Sequence, residues 1–228
     1  MTQPRKCTFH ITSLILLLST FLIAACTDNT TNDSDAPISN DASNINTALS
    51  SLPLEVVSTE EAEGLYYMRE EEKLAHDVYS TLYTVNSKTI FDNISDSEQT
   101  HTEAIKLLLE RYSLTEPVTD ASIGTFQNSF LQSLYDSLVA RGSLSLIDAL
   151  IVGATIEEID IIDIQNELDN NVDNQDIALV YENLLKGSRN HLRSFTQNLT
   201  NQGVIYTPQY LDQVTYDSIV STPTETGN

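Results

Sequence analysis

From Ser58 onward, apolar side chains return every three, four or seven residues, which is the period of a helix with one buried face. Ser58-Thr59-Glu60-Glu61 reads as a capping box. Leu65, Met68, Ala75, Tyr79 and Leu82 then share one stripe, so the spacing predicts a helix over 59–85. A second stripe (Phe91, Ile94, Ile105, Leu108) predicts a helix over 89–112. Pro117 and Gly124 mark a connection, followed by a shorter helix over 127–141 that carries Phe130, Leu131, Leu134 and Leu138 and stops before Gly142. Two further long helices are expected over 145–169 and 175–201, the last ending at Gly203. Ile159 to Ile164 is rich in β-branched residues, but its aspartates fall at helical spacing. Pro208 opens a C-terminal segment expected to pack along the helices. The fold class is therefore all-α: four long antiparallel helices, with the crossover between the second and third carrying the extra short helix.

Upstream the pattern changes twice. Residues 1–25 have Arg5 and Lys6, then an apolar run from Ile11 to Ala25, and Leu22-Ile23-Ala24-Ala25 leads into Cys26. This is the order of a lipoprotein signal peptide, with Cys26 as the lipidation site. The run of about 15 residues is short for a membrane-spanning helix, which needs roughly 20. Thr27 follows Cys26, which favours the outer membrane in a Gram-negative cell. The expected setting is the cell envelope, with the membrane reached through the lipid. Residues 26–57 are expected to be the acylated cysteine and a flexible Thr/Asn/Asp/Ser tether, 58–212 the helical domain, and 213–228 a C-terminal tail.

With Cys7 removed and Cys26 acylated, no thiol remains for a disulfide or a soft metal site. The leader holds two of the 11 basic residues and none of the 33 acidic ones, which moves the net charge from −22 to near −24. Such a surface repels nucleic acid and anionic headgroups.

The chemistry-bearing residues are those that interrupt the apolar stripes. Glu72 lies four after Met68 and seven before Tyr79. Glu98 lies four after Ile94, and His101 three further on. Glu157 lies seven after Leu150, with Asp160 three beyond it. His191 lies seven after Leu184 and four before Phe195. Four helices thus each aim ionisable groups at one core, where an uncompensated charge is unfavourable. In this reading the carboxylates repel one another without a cation, and removing one, as in Glu98→Ala, relieves the empty site. Two divalent metal ions would offset the charge. Carboxylate with imidazole suits iron, and also manganese or zinc. His76 is expected to flank the site, Tyr79 to pack with its hydroxyl nearby, and Arg69, Lys73, Arg189 and Arg193 to be solvated or paired with surface acids.

Glu72 with Tyr79, and Glu98-Gln99-Thr100-His101 as Glu-x-x-His, resemble the ferritin-like superfamily, rubrerythrins especially. Arg69-Glu70-Glu71-Glu72-Lys73-Leu74-Ala75, Ile156-Glu157-Glu158-Ile159-Asp160-Ile161 and Gly187-Ser188-Arg189-Asn190-His191-Leu192 resemble, more narrowly, the bacterial and archaeal family catalogued as domain of unknown function 2202. The likeness covers about residues 60–211. It implies a ferritin-like bundle with a di-metal centre at Glu72, Glu98, His101, Glu157 and His191. One departure stands out: Ser188 occupies the position of the last helix's glutamate, and Asp160 is the candidate to supply the missing oxygen. The implied activity is oxidoreductase-like, as a ferroxidase or peroxidase. A metal-binding lipoprotein without turnover and an interaction module that has lost its metal are the alternatives. No rubredoxin-like cysteine domain is visible, so the electron donor stays unnamed, and a homodimer is left open.

Overall fold

The computed structural model describes residues 42–226, and within them there are seven helices and no strand. The signal segment, Cys26 and the first part of the tether lie outside the described residues. No described helix is long and apolar enough to cross a membrane.

The four long helices are α2 (Thr59–Asn86), α3 (Thr89–Arg111), α5 (Leu146–Asn170) and α6 (Gln175–Asn201). Each begins or ends within three residues of its expected boundary. Ser58 caps α2 as anticipated: its side chain accepts from the Glu61 amide, and Glu61 Oε2 accepts from the Ser58 amide at 2.8 Å. Glu61 also does something the capping pattern does not announce. Its Oε1 accepts from the amides of Asp173 and Asn174 at 3.2 and 3.0 Å, so one carboxylate serves the N-terminal ends of both α2 and α6.

That contact fixes direction. The starts of α2 and α6 meet, so these two helices run parallel. Arg111, at the end of α3, bonds Asp176 at the start of α6 (2.7 Å), so α3 and α6 are antiparallel. The link between α2 and α3 is only Ser87 and Lys88. Ser87 takes the left-handed conformation (φ 54°) and donates to the Tyr83 carbonyl at 2.7 Å, which turns the chain back along α2. The helices pack as α2 on α3, α5 on α6, α3 on α6 and α2 on α5.

The crossover contains α4 (Ser129–Gly142) and is pinned from below by Lys73. Lys73 is buried rather than solvated. Its ammonium pairs with Asp77, donates to the carbonyls of Ser122 and Thr125 at 3.1 and 3.3 Å, and lies 4.4 Å from the Phe126 ring centroid. The Gly124 amide donates to the same Asp77 (2.8 Å). Arg69 is likewise buried, against Thr102 and Glu116. Both were expected to be solvated or paired with surface acids, and only the Arg69–Glu116 pair answers to that. Their long apolar stems cover the core, while Asp77 on α2, Thr102 on α3, and Glu116 with two carbonyls of the crossover satisfy the heads.

Two helices were not foreseen. Part of the expected tether is α1 (Ala42–Ser51), whose Leu49 is buried and which packs on α3. Ile45 and Leu49 lie four apart, enough to seat a short amphipathic turn. Arg111 holds its end through the Leu52 carbonyl at 2.9 Å. The C-terminal tail contains α7 (Gln213–Val220), capped by Asp212. Glu158 fastens the segment leading to it. Its fully buried carboxylate accepts from the Tyr206 hydroxyl (2.5 Å) and from the amides of Gln209, Tyr210 and Leu211 (2.9, 2.7 and 2.8 Å).

Candidate metal centre

Glu72 and Tyr79 on α2, Glu98 and His101 on α3, Glu157 on α5 and His191 on α6 meet in the middle of the four helices, each at most 2 % exposed. Glu98 is the hub. Its Oε2 lies 2.7 Å from His101 Nδ1, and its Oε1 lies 2.8 Å from His191 Nδ1. Glu72 approaches the same nitrogen of His101 at 3.2 Å, and Glu157 the same nitrogen of His191 at 3.4 Å. The outcome is two sets of three donor atoms, Glu72–Glu98–His101 and Glu98–Glu157–His191. Within each set the atoms lie within 4.8 Å of one another, and Glu98 belongs to both.

Only part of this close approach is hydrogen bonding, between His101 Nδ1 and Glu72 Oε2 at 3.2 Å. Glu98 Oε1, Glu157 Oε2 and His191 Nδ1 are fully buried and make no hydrogen bond of acceptable geometry, despite the short distances. The donor atoms converge on common points between them instead of aligning head to tail, as ligands around an ion do.

Neighbours hold these side chains in place. His191 Nε2 lies 3.0 Å from Ser97 Oγ; a proton on that nitrogen leaves Nδ1 to face the carboxylates. Tyr79 donates to Glu157 Oε1 at 2.5 Å. The imidazoles of His101 and His191 stack, with centroids 5.6 Å apart. His101 fits against α6 only because residue 187 is glycine: a Cβ there would lie 2.5 Å from its Cε1. Gly153 similarly admits Phe195, which packs against Tyr79 beneath the site.

The electrostatics follow from burial and this pairing. Burial opposes ionisation of Glu98, but His191 and His101 more than offset it and hold the carboxyl below its ordinary range. Burial also works against charging the imidazoles, yet Glu98 and Glu157 push His191 up to about 9, and Glu98 and Glu72 raise His101 well above its usual value. Glu72 is pushed up to about 7 by burial, against the pull of His101. Burial raises Glu157 as well.

One expected participant, Asp160, behaves differently, while Ser188 turns away as expected. Asp160 is buried but contributes to neither set of donor atoms; its strongest charged neighbour is Glu71 on α2. One turn of α5 separates it from Glu157, and that step carries its carboxylate toward α2. Ser188 is buried and bonds back to the Leu184 carbonyl at 3.1 Å, turned into its own helix. His76 is half-buried and lies 2.9 Å from Asp77. The acidic pair on α5 divides cleanly: Glu157 enters the centre, and Glu158 holds the C-terminal segment. Gly187, Ser97 and Glu71 were not singled out as functional from sequence. A small residue opposite a stripe-borne histidine was the available signal for the first.

Fold and site together define an all-helical protein with a buried cluster of carboxylates and imidazoles. Residues 61–223 match the family described as "Uncharacterized protein domain (DUF2202)", and the chain belongs to that family. It is 54 % identical over 179 residues to the uncharacterized protein MJ0754 of Methanocaldococcus jannaschii, covering 78 % of this chain and 96 % of that protein. The crystal structure of the hypothetical protein MJ0754 superposes with a TM-score of 0.75 at 54 % identity, covering 77 % of this chain and 99 % of that one.

Proposed function

We propose that the chain is an exported lipoprotein, anchored through Cys26, whose ferritin-like four-helix bundle holds a di-metal carboxylate–histidine centre with oxidoreductase-like activity of the ferroxidase or peroxidase type. The observation that carries this reading is Glu98, whose two oxygens each meet the Nδ1 of a different histidine while Glu72 and Glu157 flank the pair. The donor set fits two hard or borderline divalent ions, with iron first and manganese or zinc also accommodated. The up–down–crossover–down–up order of the long helices supports a ferritin-like assignment. If the ions are iron, they supply one-electron steps toward oxygen or peroxide. Around them, Ser97 orients His191, Tyr79 holds Glu157 through its hydroxyl, and the surrounding apolar side chains exclude bulk water.

Metal content of the purified full-length protein is the direct test. We expect about two ions per chain, which Glu72, Glu98, His101, Glu157 and His191 would hold. Chelation should lower the melting temperature and refilling with iron or manganese should restore it, since the unfolded chain has no preformed site. His101→Ala should abolish most of that gain. An absence of metal, with no thermal response to refilling, would leave the interaction-module reading in its place. Ser188 favours a second reading, a metal-holding lipoprotein without turnover. Its hydroxyl is committed to Leu184, so the last helix adds no second bridging carboxylate. Ferrous oxidation or peroxide consumption by the loaded protein separates the two.

A further inference from the structure

The two sets of donor atoms are alike in composition but not in how they are held. In the set on α3, α5 and α6, Glu98 Oε1, Glu157 Oε2 and His191 Nδ1 are all fully buried and all without a hydrogen bond. The opposite ends of two of these side chains are tied. His191 Nε2 lies 3.0 Å from Ser97 Oγ, and Glu157 Oε1 accepts from the Tyr79 hydroxyl at 2.5 Å. The set on α2 and α3 is the reverse. His101 Nδ1 and Glu72 Oε2 already bond one another at 3.2 Å. His101 Nε2, fully buried beside Gly187, has no hydrogen-bond partner. Packing places that ring, together with the very bond an incoming ion must break.

Buried polar atoms without partners are unfavourable, and an ion that meets all three relieves them at once. Little rearrangement is needed in the first set, because Ser97 and Tyr79 hold the side chains from behind. In the second set an ion must first part His101 from Glu72, and the far nitrogen of the ring stays unsatisfied. Each histidine surrenders its Nδ1 proton to an ion, so that cost falls on both sets and does not choose between them.

We infer that the two halves of the centre are unequal. Glu98, Glu157 and His191 form the tighter half and take the first ion, with Ser97 and Tyr79 as the positioning residues that make it so. Glu72 and His101 complete a weaker half that fills second. This rests on the metal centre proposed above.

The test is a Co2+ titration of full-length protein stripped of metal with a chelator, read by calorimetry and by the visible absorbance of the bound ion. The parent should bind two ions in two steps, the first about tenfold tighter or more. Glu157→Gln should remove the tighter step and Glu72→Gln the weaker one; both changes keep side-chain size. His101→Ala is a poorer probe, because it also frees the shared Glu98 from a neighbour at 2.7 Å. Ser97→Ala should weaken the tighter step about tenfold and the weaker step less. Tyr79→Phe should do the same. It keeps the ring packed on Phe195 and covers the case in which Ser97→Ala fails to fold. Ser188→Ala removes a buried hydroxyl bonded to its own helix and should leave both steps at parental affinity. Two equal steps, or loss of the tighter step in Glu72→Gln, would overturn the assignment. So would a parental first step in whichever of Ser97→Ala and Tyr79→Phe fold, or equal weakening by Ser188→Ala. One ion per chain, lost in Glu157→Gln and kept in Glu72→Gln, would support the assignment and overturn the second ion instead. If the parent takes up no Co2+, the metal centre itself fails and the assignment falls with it.

Discussion

At the scale of single residues, Glu98 decides how the centre behaves without metal. Counting carboxylates along the stripes suggests mutual repulsion and a gain from deleting one. The geometry reverses that sign. Glu98 lies between two imidazoles at 2.7 and 2.8 Å, and it is the foremost carboxylate compensating the charge of each. Removing the hub strands two buried cationic rings. We therefore expect Glu98→Ala to destabilise the chelated protein by about 3 kcal/mol, measured by urea unfolding. Equal or greater stability than the parent would show that carboxylate repulsion dominates after all. Gly187→Ala offers a companion measurement. The added methyl meets the His101 ring at 2.5 Å, on the rigid side of a helix packing contact. A destabilisation of about 2 kcal/mol is expected, together with weaker metal retention, because the ring must turn away from Glu72 and Glu98.

At the scale of elements, two carboxylates hold the C-terminal segment against the long helices, and they differ in exposure. Glu158 is fully buried and serves three amides and the Tyr206 hydroxyl; Glu158→Ala leaves those donors facing an apolar gap and should cost about 3 kcal/mol. Glu225 is partly exposed and is clasped by Arg189 and Arg193. The hydrogen bonds from Arg189 foremost, against some burial, hold its carboxyl down at about 2 from an ordinary 4.5. A depressed carboxylate contributes its stabilisation above the ordinary value and loses it as pH falls toward the lower one. The clasp should therefore open between about pH 4.5 and 2, and Glu225→Gln should open it at neutral pH. Hydrogen exchange of the amides over 213–226 reads this directly; protection unchanged in Glu225→Gln would refute it. These elements also mark what was legible in advance. The long helices announced themselves through sustained stripes with caps, and the centre through charges set on those stripes. The short ones did not: α1 rests on two apolar residues in a polar run, and α7 on a docking site made by Glu158 far away in sequence. The burial of Lys73 and Arg69 was missed for a related reason. Asp77 lies one turn from Lys73 on the same helix, but the Ser122 and Thr125 carbonyls, and Glu116 for Arg69, arrive only when the crossover folds back.

For the whole molecule the governing quantity is a net charge of −22, with 11 basic residues against 33 acidic ones. The few basic side chains are not spread as a neutralising coat. Arg69, Lys73, Lys106, Arg111, Arg141, Arg189 and Arg193 each already have an acidic partner, several of them inside the fold. The remaining surface acids therefore repel one another over distances that salt can screen, while the buried pairs are largely insulated from it. Folding brings these acids closer than the unfolded chain does, so the repulsion weighs against the native state. Raising sodium chloride from about 10 to 500 mM shortens the screening length from about 30 Å to a few ångströms. In chelated protein this should stabilise the fold by about 1 kcal/mol, or about 3 °C in melting temperature for a domain of this size. The chelator keeps the centre out of the measurement, and a monovalent salt avoids filling it. A melting temperature that falls with salt would mean that the ion pairs, rather than the unpaired acids, set the balance. A flat response would mean that the two cancel. Either result would remove net charge as the account of this protein's surface.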